Sequence, residues 1–193
     1  MHTQVLTGRR LEAVLDDVAA LRIEVFRDWP YLYDGTLEYE RSYLEAYRDG
    51  AGGVVVGAFD GTTLVGAATG SPLLEHAPEF GCGFEKAGID PATVFYCAES
   101  VLLAPYRGQG IGHAFFTARE DHARALGYGF SAFCAVIRPQ GHPLRPATYQ
   151  PLDAFWMKRG YKPLPDVIAR FDWKDIDQPH ATSKNLQFWG RAL

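Results

Sequence analysis

The sequence predicts a single α+β domain over residues 1–193, built on a mainly antiparallel sheet. Three observations carry that reading. Apolar residues recur at helical spacing in some stretches and as short β-rich runs in others. Two of those runs meet at Asp60-Gly61, a dipeptide that accepts positive φ cheaply and favours a tight hairpin. No internal repeat or long linker divides the chain, and its length lies within the single-domain range.

Val5 and Leu6 suggest a short first strand. Leu11, Val14, Leu15, Val18, Leu21, Val25 and Phe26 then form the stripe of an amphipathic helix. Pro30 ends it, because the residue before a proline is pushed out of the helical region. An aromatic loop from Trp29 to Gly35 follows, then a weaker helix from Thr36 to Arg48. Val54–Phe59 and Thr62–Thr69 are the hairpin strands. Residues 70–91, rich in proline and glycine and without a clear period, read as an inserted loop. Thr93–Leu103 reads as one strand, and Gly110–Leu126 as a helix closed by Gly127. A strand at Phe130–Ile137 and an irregular stretch to Gln150 come next. A short helix at Leu152–Arg159 leads to a strand near Val167–Trp173. The polar segment from Asp175 to Lys184 and the apolar Leu186, Phe188, Trp189 and Leu193 read as a tail docking on the body, able to support a homodimer.

Composition narrows the classes. The net charge of -4 argues against nucleic-acid binding, which needs a basic surface. That charge is uneven: residues 1–100 carry 16 acidic against 7 basic side chains, and residues 101–193 carry 7 against 12. An anionic ligand toward the C-terminal half and a cationic one toward the N-terminal half would suit this imbalance; a scattering of charge over the surface is the other reading. No apolar run reaches membrane-span length, and the N-terminus lacks the pattern of a secretory signal. Cys82, Cys97 and Cys134 read as free thiols of a cytoplasmic protein, and no paired spacing of histidine or cysteine suggests a metal.

The strongest chemical signal is Leu102-Leu103-Ala104-Pro105-Tyr106-Arg107-Gly108-Gln109-Gly110-Ile111-Gly112. A strand feeds a glycine-rich loop, and a helix starts at the loop's end. Unpaired N–H groups at a helix start, with Arg107 beside them, make a cradle for a pyrophosphate. The P-loop is excluded because His113 stands where its lysine belongs, and the dinucleotide fingerprint fails on glycine spacing.

This segment resembles the motif of the GNAT superfamily of acyl-CoA transferases, matched by Arg107, Gly110 and Gly112. Phe155-Trp156-Met157-Lys158-Arg159-Gly160-Tyr161 looks like the same family's helix-to-strand segment. The order of helices and strands also fits, from about Val5 to Trp173. The resemblance implies an acetyl-CoA-dependent N-acetyltransferase with splayed central strands. It implies that Arg107, Gly108 and the backbone amides of Gln109, Gly110, Ile111, Gly112 and His113 hold the pyrophosphate. The strand at Leu102 and Leu103 would pair with the pantetheine arm, and a main-chain N–H near Leu102 would face the oxyanion.

At the acceptor, a carboxylate is needed to take a proton from an ammonium group before it can attack. Glu99, in an otherwise apolar strand, is the candidate; an outward-facing or salt-bridged glutamate is the competing role. Trp156 stands where the family often has its proton-donating tyrosine, so Tyr149 becomes the candidate acid, with a packing role or water as alternatives. Cys134 reads as inert packing rather than a nucleophile. By the resemblance, Trp29, Tyr31 and Tyr33, with Asp34, Glu38 and Glu40 nearby, fall at the acceptor wall, where they serve either a cationic amine or packing. A small-molecule amine is the expected acceptor. The other readings are a non-catalytic acyl-CoA sensor, a different acyl donor, or a protein N-terminus as acceptor.

Overall fold

The computed structural model describes residues 1–193 apart from the side chain of His76. Strand β1 (His2–Leu6) and helices α1 (Gly8–Arg27) and α2 (Leu37–Asp49) precede the hairpin β2 (Val54–Asp60) and β3 (Thr63–Pro72). Short helices α3 (Leu73–His76) and α4 (Gly81–Lys86) lead to β4 (Val94–Tyr96), β5 (Ser100–Leu102) and α5 (Ile111–Ala125). Strand β6 (Phe130–Val136), α6 (Asp153–Lys158) and the strands β7 (Lys162–Lys174) and β8 (Ala181–Ala192) complete the chain.

The helical stripe of α1 is buried as its spacing requires, through Leu11, Leu15, Val18 and Leu21 against Leu44 and Tyr47 of α2. Thr36 caps α2 by accepting from the Tyr39 N–H, and Glu38 and Glu40 suit the positive end of its dipole. The sheet runs β1-β2-β3-β4-β6-β8-β7, with β5 also on β3. All pairs are antiparallel except β4 with β6. The α+β fold with a mainly antiparallel sheet is therefore present. Among the described residues no helix is long and apolar enough to cross a membrane.

The sheet opens at its centre. β4 and β6 stay paired through Tyr96 and Ala132, and the Cys97 N–H still reaches the Ala132 carbonyl at 2.8 Å. Beyond that point β5 follows β3 while β6 follows β8, leaving a gap between them.

Three expectations change. Thr93–Leu103 is two strands, because Ala98 and Glu99 together oppose Thr69: the Ala98 N–H donates to the Thr69 carbonyl, and the Thr69 N–H donates to Glu99 O. Two residues against one is a β-bulge, which bends the strand and re-aims a side chain. Residues 70–91 are no open loop: β3 extends to Pro72, and the short helices bury Leu73, Phe80 and Phe84 against Phe188 and Val167. The segment 181–192 is a strand inserted between β6 and β7 rather than a tail laid on the body. Leu186, Phe188 and Trp189 are spent in this chain's own core, so they offer a dimer nothing.

Candidate active site

The glycine-rich loop closes into a helix start. Gly108 and Gly110 lie at φ 76° and 86°, in the left-handed region that a side chain disfavours, and Gly110 caps α5. No side chain caps this helix, and its first turn carries no acidic residue. The first helical bond runs from Ala114 N to Gly110 O, so the amides of Ile111, Gly112 and His113 lack helical acceptors. Space above Gly108 and Gly110 is open within 4 Å. This is the donor set that a pyrophosphate requires, and the residues fit one.

Neighbouring side chains have other posts. Arg107 Nε donates to the Leu102 carbonyl at 3.1 Å, Gln109 to the Pro105 carbonyl, and Tyr106 to Asp60 of the β2–β3 hairpin. Gly112 has a packing reason, since a Cβ there would stand 3.3 Å from the Phe155 ring of α6. The His113 ring meets Phe155 in a T-shaped contact, 4.8 Å centroid to centroid.

Strand β5 presents one edge to the gap. The Leu103 N–H is used by Val65 O of β3, so the Leu102 N–H, one residue earlier, points the opposite way. Of the two leucines predicted to meet the cofactor arm, only Leu102 keeps its amide for the gap.

At the other end of β5 the bulge turns Glu99 into a pocket of about 320 Å³ between α1, α2 and the C-terminal strands. Arg119 of α5 holds the bulge from behind. Its guanidinium, almost wholly buried, donates to the carbonyls of Thr69 (3.0 Å) and Glu99 (2.8 Å) and to the Ser100 hydroxyl (2.8 Å).

Glu99 does not stand alone in the pocket. Arg22 of α1 lies between two carboxylates, pairing with Glu99 Oε1 and with Glu40 of α2. Tyr43 donates to Glu99 Oε2 at 2.9 Å, which leaves Tyr47 as the donor in its own 2.9 Å contact with Tyr43. Burial alone would weaken the Arg22 charge, but Glu99, Tyr43 and Glu40 outweigh it and hold the guanidinium firmly protonated. The Arg22 plane also stacks on the Tyr43 ring, 4.3 Å from its centroid.

Tyr31 and Tyr33 line the pocket, and Trp29 does not. Trp29 packs on His142 and edge-on to Tyr149, with ring centroids 5.1 and 5.9 Å apart. Burial, then the Cys134 thiol, Glu99 and Tyr149, push the Tyr31 phenol well above its ordinary value. Burial and the nearby Glu40 do the same for Tyr33. Tyr149 is itself raised by burial and lies beneath the Arg145 guanidinium. Cys134 lines the pocket too, bonded to the Tyr96 hydroxyl at 3.2 Å, and burial pushes its thiol up to about 12.

The loop bearing Tyr31 is fixed by residues that follow β6 and β7. Arg138 donates to the carbonyls of Pro30 and Tyr31 and pairs with Asp175, which also pairs with Lys184. Trp173 Nε1 donates to Tyr31 O at 3.0 Å, and the Asp34 and Ile176 amides bond across the loop and the β7–β8 hairpin.

The profile of the acetyltransferase (GNAT) family matches residues 18–145, two thirds of the chain. The chain belongs to that family. Its solved neighbours share the fold at low identity. A ribosomal-protein-alanine N-acetyltransferase from Brucella melitensis is 15% identical with a TM-score of 0.65, both chains covered in full. A putative acetyltransferase from Salmonella typhimurium, solved with its cofactor acetyl-CoA, is 11% identical at 0.60, covering 100% of this chain and 95% of that one. An aminoglycoside 6'-N-acetyltransferase complexed with coenzyme A is 16% identical at 0.59, covering 98% and 96%. No curated protein matches the chain.

In this GNAT acetyltransferase the sequence missed Arg22, Tyr43, Tyr96 and Trp173 as pocket residues. Arg22 left a signal: a charged residue four positions after Val18 and four before Phe26, inside an apolar stripe. Trp156 is explained by packing, with its ring 5.0 Å from Phe133 and 5.1 Å from Trp189. Among the described residues no three of histidine, cysteine, aspartate and glutamate gather to hold a metal.

Proposed function

We propose that this enzyme transfers the acetyl group of acetyl-CoA to the nitrogen of a primary amine by direct attack within a ternary complex. The observation that carries the reading is β5 itself. Its three residues run from a pocket walled by carboxylates and phenols toward the glycine-rich loop that opens the unpaired start of α5.

Arg107, Gly108 and the amides of Gln109, Gly110, Ile111, Gly112 and His113 hold the pyrophosphate, and the free edge of β5 takes the pantetheine arm. Bound acetyl-CoA supplies an acyl thioester. Leu102 N–H is aimed to stabilise charge on the acyl oxygen. Glu99 receives the proton released by the acceptor ammonium, directly or through water. Its two oxygens offer about four lone-pair sites, and Arg22 and Tyr43 occupy two of them. Tyr149, kept protonated by burial, returns a proton to the departing thiolate. Tyr31 and Tyr33 orient the acceptor, while Trp29 supports Tyr149.

Calorimetric titration with acetyl-CoA, followed by thiol release with an amine panel, tests this reading. Glu99→Gln should lower turnover about 100-fold or more, within the usual span for a general base, and leave acetyl-CoA affinity nearly unchanged. A Glu99→Gln enzyme as fast as the parent across pH would remove the base assignment. Binding of acetyl-CoA without turnover of any amine would favour the second reading, an acyl-CoA sensor, which the protein partner already held by each Glu99 oxygen supports.

A further inference from the structure

The charge and wall chemistry of the Glu99 pocket define its acceptor more narrowly than "an amine". The carboxylates of Asp34, Glu40 and Glu99 line it against the Arg22 guanidinium, while Asp172 borders it from β7 with its side chain on the face opposite Phe171 and Trp173. Asp34 is neutralised by Lys174 at 2.8 Å and Arg27 at 3.2 Å. Glu40 and Glu99 therefore face one cation, which is already divided between them. A cationic acceptor is drawn into such a pocket. A carboxylate on the same acceptor would meet like charge, with Arg22 Nε already on Glu40 and Nη1 on Glu99.

The rest of the lining is apolar in character. Eight of its eighteen residues are aromatic, which favours an apolar body and, over a ring face, an ammonium group. Two phenols of a kind that binds sugar hydroxyls are engaged with the protein, Tyr43 with Glu99 and Tyr96 with Cys134. The volume of about 320 Å³ sits at the lower end of the range for small-ligand pockets, enough for one ring or a short chain.

We infer that the acceptor is a primary amine on an apolar, carboxylate-free body, an arylalkylamine or alkylamine, rather than an amino acid or an amino sugar. The inference rests on the proposed transfer to an amine. It assigns Glu40 the task of rejecting carboxylates, while Arg22 keeps Glu99 and Glu40 compatible in one buried site.

The test measures thiol release from acetyl-CoA with matched acceptors: 2-phenylethylamine against phenylalanine, tyramine against tyrosine, then hexylamine, glucosamine and a dipeptide with a free N-terminus. The expected result is a kcat/KM for each carboxylate-free amine at least about 100-fold above its amino-acid counterpart. Glu40→Gln should shrink that ratio several-fold, and Asp172→Asn, on the opposite face of β7, should leave it unchanged. Equal or better turnover of phenylalanine, tyrosine or glucosamine overturns the acceptor class and leaves amine transfer standing. A preference that Glu40→Gln leaves unchanged, or that Asp172→Asn shrinks as much, overturns the electrostatic assignment. If acetyl-CoA binds and no acceptor of any class is turned over, transfer to an amine fails, and this inference fails with it.

Discussion

Arg22 is the residue on which the acceptor pocket turns. A guanidinium 8% exposed between a fully buried Glu40 and a 9% exposed Glu99 makes a buried ionic triad. Such triads contribute little net stability, yet removing one member leaves uncompensated charge behind. Arg22→Met should therefore destabilise the fold by about 3–5 kcal/mol, read from the urea midpoint at constant slope. A loss below about 1 kcal/mol would mean that the two carboxylates find other partners. The thiols give an independent check at the same scale. Burial raises Cys97 and pushes Cys134 up to about 12, while Cys82 is exposed. A thiolate is the reactive form, so a disulfide reagent at pH 8 should titrate one fast thiol in the native protein and three in urea. A second fast thiol would place Cys134 in an open, reactive setting. Glu99 was legible in the sequence as an acid out of place in an apolar strand. Its partner Arg22 carried a similar signal on a helix, and Tyr43 carried none, since a tyrosine on an amphipathic helix is ordinary.

Elements became legible in proportion to their length and regularity. The stripe of α1 and the turn at Asp60-Gly61 announce themselves, and both elements form where expected. Helices α3 and α4, of four and six residues, are too short to display a 3.6-residue period, and the surrounding prolines and glycines suggested a loop. Strand β8 hid its alternation because the first inward position is Lys184, followed by Leu186 and Phe188 at period two. That lysine is buried to pair with Asp175, a contact made only by the folded chain. The glycine-rich loop was the clearest element signal of all. Gly110 sits at φ 86° with open space around it, so an alanine there meets backbone strain rather than a clash. Gly110→Ala should lower stability by about 1–2 kcal/mol through that strain. It should weaken acetyl-CoA binding at least tenfold in calorimetry, because the displaced amides lose their common focus. Unchanged binding would remove the helix start from the cofactor site.

Over the whole molecule, the acceptor pocket is a joint between two halves of the chain. Its floor comes from α1, α2 and the bulge after β4, and its far wall from β7 and β8. The halves are fastened where Arg138 and Lys184 meet Asp175 beneath the loop that carries Tyr31. Burial by itself would raise the Asp175 carboxyl; hydrogen bonds from Arg138 and Lys184 outweigh it and hold the group below its ordinary value. A carboxyl depressed by folding contributes stability that is present above its unfolded value, about 3.9, and is lost as pH falls through the folded value. The fastening should thus be intact at neutral pH and fail only in acid, below about pH 4. Asp175→Asn removes the titrating charge but leaves two buried cations without a carboxylate, a loss of about 3–5 kcal/mol at pH 7. Urea unfolding of parent and variant from pH 7 to pH 2.5 should show that gap narrowing below pH 4, as protonation of Asp175 brings the parent down to the variant. Tryptophan fluorescence should follow the same curve, since Trp173 bonds to Tyr31 O beside this cluster. A gap that stays constant through the acid range would mean that Asp175 is not the group that joins the halves, and that the Tyr31 loop is held by Trp173 and its backbone bonds alone.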